Sequence, residues 1–232
     1  MVKDTTNEEK GYAKINLALH VTGIQADGYH ALDSIVVFTD VSDRLFFKRS
    51  LKNVVTLTGE FSKSINVREN SILQALKLFG NGLTDRFSIN LEKNLPIGAG
   101  LGGGSADAAA VIRFITNNSK HLMPSSEALS KIGADIPACV LSVASRVGGI
   151  GEIVRPLDIS EINLWVVLVN PDIFVSTGSI FEEVTEKYNQ PLESFIDLSS
   201  TDQFIDYLKR QRNDLQTIAI KKHPEINKVL HT

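Results

Sequence analysis

The chain carries a single cysteine, Cys139, in 232 residues. One thiol excludes an internal disulfide framework and fits a reducing compartment. Set in the apolar stretch "IPACVL", it reads as a small buried hydrophobe and not as a nucleophile. Long hydrophobic runs are missing as well. The run "LWVVLV" is the length of one core strand and far short of the roughly 20 residues that cross a bilayer. Charge of one sign is also scarce, because the formal net charge is −3, which leaves no bulk basic field for nucleic acid or an anionic membrane surface. The five histidines fall into no HExxH or other metal-ligand spacing. The opening "MVKDTTNEEK" is polar and charged, so no secretory leader is expected. These absences predict a cytoplasmic protein with neither a membrane nor a nucleic acid as partner, and a monomer or homodimer is expected without any residue pattern that decides between them.

What is present is ordinary globular composition, 43% hydrophobic and 22% charged, enough for a sizeable core. The first third reads as strands. In "YAKINLALHVTG", Ile15, Leu17, Leu19 and Val21 alternate with Asn16, Ala18 and His20, the period-two pattern of a half-buried strand. "QADGYH" supplies an Asp-Gly turn into "SIVVF", a hairpin signal, and "RLFFK" and "NVVTLTG" read as two further strands. Ile72, Leu76 and Phe79 share one helical face, and "RFSINLEKN" alternates again. A helix carrying Ala108, Ile112 and Ile115 on one stripe follows the glycine-rich stretch. "SSEALSKIG" and "GADIPACVLS" are short helices, "GGIGE" is a turn between strands, and "LWVVLVNP" is a buried strand. Helices are expected over 181–188, 202–212 and 214–222. Strands first and helices later predict an α+β fold.

The stretch "LPIGAGLGGGSADAAAVI" places five glycines within 95–112. Gly98, Gly100 and Gly103 satisfy the dinucleotide spacing G-x-G-x-x-G, but the preceding strand alternates where a fully buried parallel strand is needed. No carboxylate lies about twenty residues further on to hold a ribose. The loop is no P-loop either, since "GGGSAD" ends without a lysine. There remain a flexible surface loop, which would not need "LP" at one end and a helix at the other, and the favoured backbone anion cradle: glycines let N–H groups converge on phosphate oxygens, and Ser105 is expected to cap a helix whose positive end faces the same place.

Other polar residues allow two readings each. Lys14 and Asn16 are either the wet face of a strand or a cation and an amide aimed at a phosphate or reacting hydroxyl. Asp135 in "GADIP" is either a helix cap or a base that receives an alcohol's proton during phosphoryl transfer. Tyr29 and His30 are either hairpin-tip residues or a stacking and hydrogen-bonding pair for a nucleobase.

In order along the chain, "AKINLALHVTGIQADGYHALDSI", "LPIGAGLGGGSADAA", "GADIP", "GGIGE", "NPDIFVST" and "NDL" resemble the GHMP kinase superfamily, and within it the kinases of a cytidine-diphosphate-linked methylerythritol on the non-mevalonate route to isoprenoid precursors. The likeness runs from about Tyr12 to Leu215. It implies a two-subdomain α+β fold with ATP and substrate between the subdomains, a nucleotide-binding part at 1–150 and a substrate-binding part at 151–232. By the family's pattern Lys14 and Asp135 are the catalytic pair. Pro96, Ile97, Gly98, Ala99, Gly100, Leu101, Gly102, Gly103, Gly104, Ser105 and Ala106 wrap the ATP phosphates, and Asn70 and Lys93 lie toward the nucleoside. Asn16 meets substrate phosphate, Tyr29 and Phe181 sandwich cytosine, His30 reads its polar edge, and Thr177 helps hold the diphosphocytidyl group. Mg2+ is implied with its ligands unassigned. Two departures stand out: Ala106 occupies a position where the family usually has serine, and no second Ser-Gly-Ser-Gly loop follows, so a shortened C-terminal subdomain is expected. Another small-molecule kinase of the superfamily, or a non-catalytic nucleotide-binding remnant, are the alternatives.

Overall fold

The computed structural model describes residues 7–64, 71–80, 83, 85–194 and 200–231. Its elements, in order, are β1 (Asn7–Ile24), β2 (His30–Ser50), β3 (Val54–Thr58), α1 (Ser71–Leu78), β4 (Arg86–Glu92), α2 (Gly103–Asn118), α3 (Ser126–Ser130), α4 (Ile136–Leu141), β5 (Ser145–Gly149), β6 (Ile153–Pro156), α5 (Thr177–Phe181), α6 (Thr201–Lys209), α7 (Gln216–Lys222) and α8 (Glu225–Leu230). They form two compact units, one of residues 1–14, 39–97 and 101–142, the other of 15–38, 98–100 and 143–232. The division expected at residue 150 follows chain order, whereas these units follow contacts, and β1 and β2 contribute residues to both.

In the first unit β4 runs parallel to β3 and antiparallel to the second half of β2, from Arg44 opposite Glu92 to Ser50 opposite Arg86. Phe87, Ile89 and Leu91 of β4 are buried on one face, as their alternation predicts. The helix α2 is apolar nearly all round, with Ala106 to Ile112, Phe114 and Ile115 buried, which makes it a core helix and not a surface one. It packs between α1 and α4. Phe114 stacks on Phe47 at 3.9 Å and meets Phe87 edge-on at 5.2 Å.

In the second unit the first half of β2 pairs antiparallel with β5, and β5 with β6. Ala18, Ile35, Leu192 and Tyr207 make one buried cluster and Leu19, Val21 and Val184 another. The "NDL" motif clasps β1 here: Asp214 accepts the Val21 N–H at 2.7 Å and the Arg212 guanidinium at 2.6 Å. Arg146 and Asp33 form a two-pronged ion pair, and Asp33 also accepts the Leu192 N–H at 2.9 Å.

Four expectations are corrected. The strands read at "SIVVF" and "RLFFK" are one continuous β2. The alternation of β1 does not leave a polar face, since Lys14, Ala18 and His20 are buried along with Leu19 and Val21; His20 is a satisfied core histidine, bonded to the Gln190 carbonyl and the Arg212 N–H. The run "LWVVLVNP" forms no strand and is exposed, Trp165 to 99%, because hydrophobicity reports what a segment is able to bury and not whether a partner strand lies alongside. The helix expected at 181–188 instead spans Thr177–Phe181, started by the Ser176 hydroxyl accepting the Ser179 N–H. Beyond it the chain turns to place Val184 in the core.

Candidate active site

Strand β1 delivers Lys14 into the first unit at 4% exposure, and its backbone N–H donates to the Leu101 carbonyl at 2.9 Å. That bond ties the strand to the glycine-rich loop. Asp135 sits at the N-cap of α4 but makes no capping bond, because its carboxylate turns to Lys14 instead, Nζ to Oδ1 at 3.1 Å. The ammonium is buried while the Asp135 side chain stays 42% exposed, so the carboxylate is fixed at one end and open at the other. A side chain at Gly102 would lie 3.1 Å from the Lys14 Cε and 3.6 Å from an Asp135 oxygen. Its φ of +64° is also one that other residues adopt at a cost. The loop, the lysine and the carboxylate therefore converge.

Along the loop Gly98, Gly100 and Gly102 all have positive φ. In the second unit Gly98 is held by the Val175 N–H, which donates to its carbonyl at 2.9 Å, and by the Phe174 ring packed where a side chain would stand. In the first unit α2 begins at Gly103 with Gly102 as its cap and no side-chain capping bond. This corrects the expectation for Ser105: it lies inside the first turn, and the residue at the cap, a glycine, has no side chain to offer the amides at the helix start. Ala106, where a hydroxyl was expected by family pattern, is buried, and its N–H donates to the Gly102 carbonyl at 2.8 Å. Asn70 lies outside the described residues.

Lys93 is 3% exposed and lies underneath the loop, a different setting from the nucleoside contact expected of it. Its ammonium is bonded to Asp43 and to Asp107, the latter at 3.0 Å. Asp43 also accepts the N–H groups of Asn94 and Leu95 at 2.7 and 2.8 Å. Burial, opposed by Lys93 and reinforced by the charge of Asp43, pushes the Asp107 carboxyl up to about 7. Neither aspartate was singled out from the sequence. A signal existed for Asp107, a lone charge in the alanine-rich "SADAAA" of an otherwise apolar helix.

The second unit holds the remaining residues. The Asn16 amide donates to the Ser34 hydroxyl at 2.8 Å, and Ser34 donates to the Ala18 carbonyl. Tyr29 is exposed just past the turn, its N–H donated to the Asp27 carboxylate at 3.1 Å. The His30 ring lies 5.4 Å from Phe181, tilted by 31°, and its Nε2 is buried with no hydrogen-bond partner among the described residues. Burial first, and then the charge of Lys187, holds the His30 imidazole below its ordinary range, so it is neutral at pH 7. Thr177 opens α5 and is exposed. Cys139 is buried, and burial pushes its thiol far up. Among the described residues no group of three or more His, Cys, Asp or Glu is placed to hold a metal ion, and no helix is long and apolar enough to cross a membrane.

A family model for the GHMP kinases N terminal domain matches residues 70–151. A 4-diphosphocytidyl-2-C-methyl-D-erythritol kinase from Cereibacter sphaeroides is 39% identical over 216 residues, which are 92% of this chain and 77% of that protein. The same-named kinase of Paracoccus denitrificans is 41% identical over 221 residues, 94% of this chain and 76% of that protein. Among solved structures, a 4-(cytidine 5'-diphospho)-2C-methyl-D-erythritol kinase crystal structure matches with a TM-score of 0.70 at 26% identity, over 96% of this chain and 81% of that one.

Proposed function

The chain belongs to the 4-diphosphocytidyl-2-C-methyl-D-erythritol kinase family of the GHMP kinases, and from that premise we propose that it transfers the terminal phosphoryl group of ATP to the tertiary hydroxyl of 4-diphosphocytidyl-2-C-methyl-D-erythritol. The observation that carries the chemistry is the Lys14–Asp135 pair at 3.1 Å beside side-chain-free Gly102. Asp135, open on one side, receives the hydroxyl proton as the new O–P bond forms and the bond to the leaving ADP breaks. Lys14 holds the carboxylate in place and offsets charge developing on the transferred group. The start of α2, with side-chain-free Gly102 at its cap and in a positive-φ conformation, suits the polyphosphate.

Magnesium supplies charge neutralisation on the phosphates. Such an ion would be carried in on the nucleotide's own phosphate oxygens. For the cytosine, the orphaned, neutral His30 Nε2 calls for a ligand atom at its edge. Tyr29 and Phe181 offer ring faces, while Asn16 and Thr177 offer polar contacts. The names of the relatives favour this substrate over mevalonate or homoserine. The test offers the three alcohols in turn with ATP, to the wild type and to Asp135→Ala. Turnover of the cytidylyl substrate alone, lost in the variant, is expected. Equal rates for wild type and variant, or turnover of mevalonate and homoserine at the same level, would overturn the assignment.

A further inference from the structure

Behind the loop, one buried cation faces two buried carboxylates. Lys93 is bonded to Asp43 and Asp107, and all three are almost wholly inaccessible. Asp43 is well matched as an anion, since the Lys93 ammonium and two backbone N–H groups reach it. Asp107 is not. Its Oδ2 meets Lys93, but its Oδ1 is buried with no hydrogen-bond partner among the described residues and faces backbone at Gly11 of β1. The groups around it are Lys93 past β4, Asp43 of β2, uncharged Gly11 of β1 and the neutral Cys139 thiol of α4. The excess negative charge of the cluster therefore rests on Asp107, where burial without a matching donor disfavours it.

This carboxyl lies near the start of α2, at the fifth residue of the helix, and the Lys93 ammonium is 3.0 Å from where a side chain at Gly103 would begin. The positive end of α2 helps hold Asp107 ionised while the loop is empty. A polyanion settled on the same helix end opposes that help with like charge.

We propose that Asp107 is a positioning residue whose protonation is linked to nucleotide binding: when phosphates occupy the loop, Asp107 takes up a proton from solvent and the Lys93–Asp43–Asp107 cluster becomes neutral. The proposal rests on the reading of the loop as a polyphosphate cradle. With the cluster neutral, Lys93 pairs with Asp43 alone and the loop above it carries the phosphate charge without a buried anion beneath. In the empty protein the carboxyl already stands near 7, and a bound anion moves it higher. Nucleotide affinity is then greatest on the acid side and falls as pH rises through the empty and bound values, by about tenfold for each unit that separates them.

The test measures MgATP binding calorimetrically between pH 7 and 8.5, in buffers of low and high ionisation enthalpy, for wild type and Asp107→Asn. The nucleotide's own protonation is common to both and cancels in the comparison. Wild type should take up several tenths of a proton more than the variant near pH 8, and its affinity should fall several-fold more steeply with pH. Equal proton uptake and parallel pH profiles overturn the proposal while leaving the cradle intact. Failure of wild type to bind MgATP at any pH instead removes the cradle reading itself. If Asp107→Asn does not fold, the carbonyl infrared band of a protonated buried carboxyl, followed on adding MgATP to wild type, decides the matter: growth of the band supports the linkage and no change refutes it.

Discussion

Replacing Gly102 by alanine tests the convergence of loop, lysine and carboxylate directly. The residue holds φ at +64°, and an L side chain there costs about 1–2 kcal/mol in backbone strain. The added methyl would stand 3.1 Å from the Lys14 Cε and 3.4 Å from its Cβ, short of the roughly 3.5–4.0 Å at which carbons rest. Lys14 must therefore retreat by about 0.5 Å, and because it is buried the movement shifts its ammonium relative to Asp135. A displacement of that order in a positioned pair lowers kcat by roughly 10- to 100-fold. Gly80→Ala is the control, since Gly80 has φ of +55° and no described residue near a would-be side chain. It carries the same kind of backbone strain without touching Lys14. Denaturant melts should show both variants destabilised by a similar amount, and a coupled ADP-release assay should show kcat lowered only in Gly102→Ala. If kcat falls no further in Gly102→Ala than in Gly80→Ala, the Lys14–Asp135 pair is not where the chemistry occurs.

Tyr29→Ala should raise KM for the cytidylyl substrate by about 5- to 150-fold, the worth of one stacked base, with KM for ATP unchanged; equal shifts in both constants would count against the base-stacking role. Asp33→Asn breaks the paired hydrogen bonds from Arg146 and should cost about 2 kcal/mol in urea unfolding, whereas a change under half of that would mean the pair contributes little. Cys139, buried with its thiol pushed far up by that burial, should label with a disulfide reagent at pH 8 only as fast as the protein unfolds. Rapid stoichiometric labelling of the native protein would contradict the buried placement.

Local patterns were legible where the chain's own period decides the outcome. The alternation of Phe87, Ile89 and Leu91 became β4, and the alanine-rich stripe became α2. The glycine-rich stretch was legible as a loop leading into a helix, but which of its glycines take positive φ, Gly98, Gly100 and Gly102, was not. Where burial depends on a second segment, periodicity was a poor guide. Nothing in "YAKINLALHVTG" distinguishes a half-wet strand from one covered on both faces, and nothing in "LWVVLV" reports whether a partner strand lies beside it. Ser105 shows the same limit at a helix end: a serine after glycines resembles a cap, yet the first helical residue is Gly103, since the cap is set by where the backbone turns.

The residues of this chain by themselves determined the type of most of its elements, the glycine loop without a terminal lysine, and, through motifs at fixed order, its membership among these kinases. Folding alone decided the contact by which Lys14 meets Asp135 beside Gly102, that Lys93 lies between Asp43 and Asp107 under the loop, and that His30 keeps a nitrogen unmatched among the described residues against Phe181. The physical reason is range. Backbone preference and hydrophobic period act over a few neighbours in sequence, whereas an ion pair between residues more than a hundred positions apart exists only once packing has brought two distant segments within a few ångströms and removed the water between them.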